Sequence, residues 1–325
     1  PNAGVALVPD PRLDAIAAIV NPKEIIPTVV DFVDIAGLVS GASAGEGLGN
    51  QFLSHIRETD AIAHVVRCFT DDNVIHVDGR VDPLSDIATI NTELALADLA
   101  TVERSLDRQG RKARSGDGEA KTAVAVLERI NTHLGEGRPV RTMTFSSSER
   151  PVVRDLFLLT AKPTMYIANV DESGLDGNEH TAAVHELAGA EGAEVVAICG
   201  ALEAELTTLD AVDRDEMLAE YGLTEPGLHK VIRAGYDLLG LLTFFTAGEK
   251  EVRAWTVRSG STAPQAAGTI HTDFEKGFIR AEVVGYDDFI THGGEQGAKE
   301  AGKWRLEGRD YVAREGDIMH FRFNN

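Results

Sequence analysis

Apolar and polar positions along the chain follow two periods. Residues 27–35 (PTVVDFVDI) are dense in β-branched side chains and read as a strand, as do 61–69, 163–170 and 194–199. Helical spacing separates them, over 49–59 and 178–190. Strands alternating with helices predict a mainly parallel sheet covered on both faces. The alternation stops between about 83 and 160. Asp82-Pro83 is a helix start, and Ile87, Ile90, Leu94, Leu99, Val102 and Leu106 then keep helical spacing to about Gln109. After the polar turn SGDGE, Val124, Leu127, Ile130 and Leu134 mark a second helix. Two apolar stripes joined by a short turn predict an antiparallel helical hairpin inserted into the α/β fold. An amphipathic helix follows over 226–242. Beyond Gly248, EVRAWTV, a helix near Pro264, FIRAEVV and GDIMHFRF suggest a small β-grasp module. The expected division is 1–82 and 161–242 for the α/β body, 83–160 for the hairpin and 243–325 for the β-grasp.

Charge sharpens this picture. The chain of 325 residues has a formal net charge of −21, a field that repels nucleic acid overall. Any RNA contact must then use a local patch. The densest basic cluster is at the hairpin tip: Arg104, Arg108, Arg111, Lys112 and Arg114, opposed by Asp107. It reads either as a solvated helix end or as a docking patch. The two cysteines, Cys68 and Cys199, lie apart in apolar runs and read as core thiols in a reducing cytoplasm. No apolar run reaches the ~18 residues of a membrane span, so no membrane association is expected.

The candidate chemistry begins at Asp34-Ile35-Ala36-Gly37, a D-x-x-G at a strand end. In P-loop nucleotide hydrolases such an Asp reaches Mg²⁺ and the Gly N–H meets the γ-phosphate. The alternative is an ordinary strand-end turn. Leu38 follows, which cannot orient water as a glutamine there would. The partner motif G-x-x-x-x-G-K-[ST] is missing from the sequence; Gly297 with Gly302-Lys303 is followed by Trp304, which has no hydroxyl for the metal. Asn169-Val170-Asp171-Glu172 follows the strand PTMYIANV, where guanine-specific proteins carry N-K-x-D. Glu172 in place of Asp shifts the acceptor for guanine, while the Asn169 amide and Val170 backbone suit adenine's N6 and N1. Cys199-Gly200-Ala201-Leu202-Glu203 ends the next strand, where backbone N–H groups close over a base. His55 and His64 read as helix and strand residues. His76 is in a loop near the strand ends, either a surface residue or a group able to hold an attacking water.

These motifs in this order resemble the YchF/Obg-like ATPase family, a branch of the P-loop GTPase class. The likeness rests on "NPKEIIPT", "DIAGLVSGASAGEGLGNQFLSHIRETDAI", "KPTMYIANV", "EPGLHKVIRAGYDLLGL", "APQAAGTIHTDFEKGFIRAEV" and "GDIMHFRF", and it runs nearly the whole length. It implies a P-loop NTPase-type sheet with the inserted hairpin and a C-terminal TGS (β-grasp) domain. It further implies Mg²⁺-dependent ATP hydrolysis, GTP being a further substrate, with any K⁺ requirement open. In that reading Asp34 holds Mg²⁺ through water, Gly37 senses phosphate, and Asn169, Val170 and Glu172 read the base. Gly200 and Ala201 close the pocket and His76 positions water. The expected partner is the ribosome, with RNA met through the basic patch, and the expected state a cytoplasmic monomer. "PNAGV" resembles the segment after the switch I threonine, so roughly 35–40 residues with the phosphate loop and first strand are expected upstream. The chain as it stands should then bind nucleotide poorly. The competing expectation is a non-catalytic RNA- or ribosome-binding scaffold with a vestigial pocket.

Overall fold

Apolar runs at 62–67, 164–169 and 195–198 pair side by side in a computed structural model that describes residues 2–35, 48–71 and 79–324. Gly37, Leu38 and His76 lie outside the described residues. Contacts divide the chain into two compact units, Val33–Val231 with Pro1–Gly4, and Val5–Phe32 with Ile232–Asn325. The chain opens with β1 (Asn2–Leu7), α1 (Pro11–Val20), β2 (Glu24–Ile26) and β3 (Val29–Asp34). β1 and β3 form a two-stranded sheet. None of β1, α1 or β2 is anticipated above. Yet α1 carries the same signal as Asp82-Pro83: Asp10 accepts the Arg12 N–H at 3.1 Å and Pro11 opens the helix.

The first unit continues with α2 (Leu48–Arg57), β4 (Ile62–Arg67), α3 (Pro83–Arg114), α4 (Gly118–Gly135), α5 (Arg150–Arg154), β5 (Thr164–Asn169), α6 (Glu179–Glu191), β6 (Val195–Ile198), α7 (Gly200–Leu206) and α8 (Ala211–Glu220). Strands β4, β5 and β6 are parallel and adjacent in that order, with Arg67 opposite Asn169 and Asn169 opposite Ile198. The central strand β5 is buried along almost its whole length, as expected for a strand covered on both faces. Val66, Tyr166, Ala168, Val184, Leu202 and Leu206 form its core.

Helices α3 and α4 make the expected hairpin, sealed by Val102, Val126, Leu127, Ile130 and Leu134. Helix α3 runs about a turn and a half beyond Gln109, to Arg114. Arg111, Lys112 and Arg114 therefore occupy its last turn, where cations oppose the helix dipole. The chain returns to the sheet through Leu159 and Thr160, both buried.

Helix α9 (Gly227–Leu238) ends earlier than the expected 242: Gly240 takes φ 63, and the next residues are a strand. The second unit contains β7 (Leu241–Ala247), β8 (Glu251–Arg258), α10 (Ala263–Ile270), α11 (Thr272–Lys276), β9 (Phe278–Gly285), α12 (Tyr286–Thr291), α13 (Glu295–Glu300), β10 (Arg305–Glu307) and β11 (Asp317–Phe323). Its sheet runs β10-β9-β11-β7-β8-β2. β11 is parallel to β7, and the β7–β8 and β9–β11 pairs are antiparallel, a β-grasp arrangement. Strand β2, from residues 24–26, pairs in parallel with β8 at its edge.

One buried carboxylate ties the hairpin to the chain's return. Asp98, fully buried on α3, accepts the Leu159 N–H at 2.9 Å, the Thr160 N–H at 2.8 Å and the Thr160 hydroxyl at 2.7 Å. Burial pushes its carboxyl above the usual range, while these three donors pull the other way. Asp98→Ala leaves two buried backbone donors without acceptors. It should lower the stability of this unit by about 3–5 kcal/mol. The measurement is the urea midpoint at unchanged m-value; a loss under about 1 kcal/mol would contradict the assignment.

Candidate nucleotide site

Parallel strands direct their last residues to one end of a sheet, and ligands of open α/β folds collect there. The ends of β4, β5 and β6 surround a cleft of about 670 Å³. Its walls are Phe69, Thr70 and Asp71 after β4, Asn169 to Ser173 at the end of β5, and Cys199 and Ala201 after β6.

Asn169 organises this end. Its Oδ1 accepts the Gly200 N–H at 3.0 Å, which leaves its Nδ2 group as the donor for a ligand. A Cβ on Gly200 would stand 3.1 Å from that Oδ1, so glycine permits the close approach. The Asn169 carbonyl receives the Cys68 N–H at 2.7 Å, and the Val170 N–H donates to Ile198 at 2.8 Å. The expectation that the Val170 backbone serves a base is thereby narrowed: its N–H is engaged in the sheet, and its carbonyl is the group that remains. The Val170 side chain is buried.

The turn after β5 is self-capped. Asp171 Oδ1 accepts the Gly174 N–H and the Ser173 hydroxyl, each at 2.8 Å. Glu172 stands exposed on this turn. The Tyr221 hydroxyl bonds to its carboxylate, which pushes the phenol above its usual range. After β6, α7 starts at Gly200 with Cys199 at its cap position and no side-chain cap bond. The first-turn N–H groups of a helix lack intrahelical acceptors, and Ala201, at the second position, lines the cleft.

On the β4 side, Arg67 shapes the rim. It donates to the carbonyls of Phe69 at 3.1 Å and Asp71 at 3.2 Å, and its guanidinium lies 4.7 Å from the centre of the Phe69 ring. Phe69 gives the cleft an aromatic wall suited to a flat base. Sequence reasoning missed it; an aromatic residue just beyond a strand end was the available signal. The Cys68 thiol is buried and pushed up to about 11, inert as expected. His64, half-buried beside Tyr166, is pulled down to about 4 by burial and is neutral at pH 7.

Asn169, Val170, Glu172 and Ala201 thus meet in one cleft, with Gly200 bonded to it. Asp34 is not among the lining residues; it ends β3, exposed. Among the described residues no three His, Cys, Asp or Glu side chains gather as a metal cluster. The five basic residues of the tip are all exposed on α3, away from the cleft lining. Among the described residues none of the five forms an ion pair. A second cleft, in the other unit, is lined by Arg12, Lys303 and Arg305 beside Glu315, Asp288 and Asp317. These charges pair with one another rather than converging on open space.

Known proteins extend this geometry. Residues 241–324 match the YchF GTPase C-terminal family, described as a protein of unknown function (DUF933), and residues 13–102 match the 50S ribosome-binding GTPase family. The chain is 59% identical over 324 residues to the "Ribosome-binding ATPase YchF" of Haemophilus influenzae, covering all of this chain and 89% of that protein. It is 50% identical over 327 residues to the protein of the same name from Bacillus subtilis, with the same coverage. The solved structure of the Schizosaccharomyces pombe YchF GTPase superposes with a TM-score of 0.89 at 38% identity, over 99% of this chain and 88% of that one. With such identity over its whole length, and with the cleft at the ends of its parallel strands, the chain belongs to the YchF family.

Proposed function

We propose that this chain is the nucleotide-binding body of an Mg²⁺-dependent ATPase whose nucleotide state is coupled to ribosome binding. The observation that carries the reading is the Asn169–Gly200 cleft at the carboxyl ends of the parallel strands, with Glu172 and Ala201 on its walls. Relatives named as ribosome-binding ATPases support both halves of it. The Asn169 amide group and the Val170 carbonyl offer one donor and one acceptor to the base edge. Phe69 offers a face for stacking, and the Ala201 amide in the first turn of α7 closes the pocket that Gly200, bonded to Asn169, positions. Glu172 replaces the aspartate that grips guanine, which favours adenine while leaving GTP as a weaker substrate.

Mg²⁺, when bound with the triphosphate, neutralises charge on the phosphoryl oxygens. Asp34 would hold it through water, and the Gly37 N–H would meet the terminal phosphate. His76 would orient the attacking water, a task Leu38 cannot perform. The protein would act as a cytoplasmic monomer of four parts, with residues 1–82 and 161–242 as nucleotide domain, 83–160 as hairpin and 243–325 as TGS domain. Arg104, Arg108, Arg111, Lys112 and Arg114 would meet ribosomal RNA. The exposure of that tip also favours a second reading, a scaffold that binds ribosomes without hydrolysing ATP.

Asn169→Ala should raise the Kd for ATP about 10-fold, by removing the base donor and the acceptor of Gly200. His76→Ala should cut turnover about 100-fold with ATP affinity almost unchanged. Both are read by calorimetric titration and phosphate release on the full-length protein. Undetectable hydrolysis by the wild type, even with ribosomes present, would sink the enzyme reading and leave the scaffold. Arg108→Glu, Arg111→Glu and Lys112→Glu together should abolish most co-sedimentation with ribosomes at about 0.1 M salt. Undiminished sedimentation would remove the tip from the interface.

A further inference from the structure

Between the base-closing loop and the start of α9 stands a contact that the reading above does not use. Glu203 lies one turn into α7, three residues after Gly200. Its two carboxylate oxygens accept two successive backbone donors at the start of α9: Oε1 takes the Gly227 N–H at 2.6 Å and Oε2 takes the Leu228 N–H at 3.1 Å. These are charge-assisted bonds to amides at the positive end of a helix dipole. Gly227 is buried, and a Cβ there would stand 2.9 Å from both Glu203 Oε1 and Ile198 Cγ2. Glycine is what allows the start of α9 to press this closely on the carboxylate and on the last residue of β6.

Helix α7 is therefore pinned on two sides. At its first residue the Gly200 N–H is tied to Asn169. One turn later Glu203 is tied to α9. Leu202 and Leu206 anchor its apolar side in the core, but that packing sets depth rather than rotation about the helix axis. The bidentate carboxylate adds direction. With seven residues and no side-chain cap, α7 has little internal stability with which to hold its own first turn.

We infer that Glu203 is a positioning residue for nucleotide binding: by clamping α7 to the first amides of α9, it holds Gly200 against Asn169 and the Ala201 amide at the height where it closes on the base. This rests on the functional reading above. The clamp acts on the base-closing turn alone, so its loss should weaken nucleotide capture and leave the chemical step intact.

The test compares wild type, Glu203→Ala and Glu203→Gln in the full-length protein. Alanine removes both acceptors, whereas glutamine keeps one oxygen for one of the two amides. The expected result is a KM for ATP raised about 10-fold in Glu203→Ala, with kcat within about two-fold, and an intermediate KM in Glu203→Gln. Amide hydrogen exchange supplies a readout independent of nucleotide. The Gly200 and Leu228 amides should exchange about 10-fold faster in Glu203→Ala, while Val170, whose N–H lies in the sheet, keeps its protection. Unchanged Gly200 exchange overturns the inference, as does a fall in kcat at constant KM or an equal loss of protection at Val170. Should Glu203→Ala not fold, Glu203→Gln decides by the same measures. If the wild type hydrolyses no ATP, the functional reading fails by itself, and Gly200 exchange still decides whether Glu203 holds the loop.

Discussion

The side chain of Asn169 is engaged before any ligand arrives, and the geometry of the cleft follows from that. As the last residue of a buried parallel strand, it receives Cys68 on its carbonyl and Gly200 on its side chain. Three chain segments that are remote in sequence are thereby brought to one level. A polar group at the edge of a core needs a partner, and this one takes its partner from the backbone of the next loop. The Gly200 amide is then no longer a free donor, and the first turn of α7 presents the following amide, Ala201, to the cleft. The site is accordingly built mostly of backbone groups whose positions follow from strand register. Such groups are pre-organised, because moving them means breaking the ladder.

The same device recurs where the hairpin joins the body. Asp98 receives the backbone of Leu159 and Thr160, and Glu191 receives Arg141 at 2.7 Å and the Tyr166 hydroxyl at 3.0 Å. Asp98 replaces strand or helix neighbours as acceptor for backbone that has just left regular structure, and Glu191 joins the returning segment to β5 through two side chains. An insertion of two long helices interrupts the alternation of strand and helix, and its return must be placed accurately for β5 to enter between β4 and β6. Apolar packing alone would tolerate slippage there. Two carboxylates with specific donors, Asp98 buried and Glu191 partly so, remove that freedom, at the cost of desolvating a charge.

What was legible in the sequence divides along local and non-local lines. The strands of the parallel sheet showed in their β-branched runs, and the hairpin in its 3-and-4 spacing, because each pattern is complete within its own segment. Strand β7 was lost because Leu238 to Ala247 is one apolar run, and only the left-handed Gly240 divides helix from strand within it. Strand β2, three residues long, acquires meaning only from its pairing with β8, more than two hundred residues away. At the cleft, the placement of Asn169, Glu172 and Gly200 was legible because the ends of parallel strands gather at one edge of a sheet. Glu203 was not, since its partners are set by how the chain returns to α9, and Arg67 was not, since it bonds nearby backbone carbonyls that no side-chain pattern marks. The engagement of the Val170 N–H was equally invisible, being a property of register.

The remaining tension is between an acidic protein and a basic tip, and distance resolves it. Helix α3 has 32 residues, so its axis is about 48 Å long. Pro83 starts it near the sheet, and Arg111, Lys112 and Arg114 fall in its last turn. At physiological salt a charge is screened over about 8 Å. The start of α3 is therefore several screening lengths from its last turn, and an anion arriving there meets the local charges, five basic residues against Asp107, Asp117 and Glu119, rather than the net charge of −21. The helix dipole stabilises these cations where they stand, so one sequence choice serves both the folding of the helix end and the field that it projects.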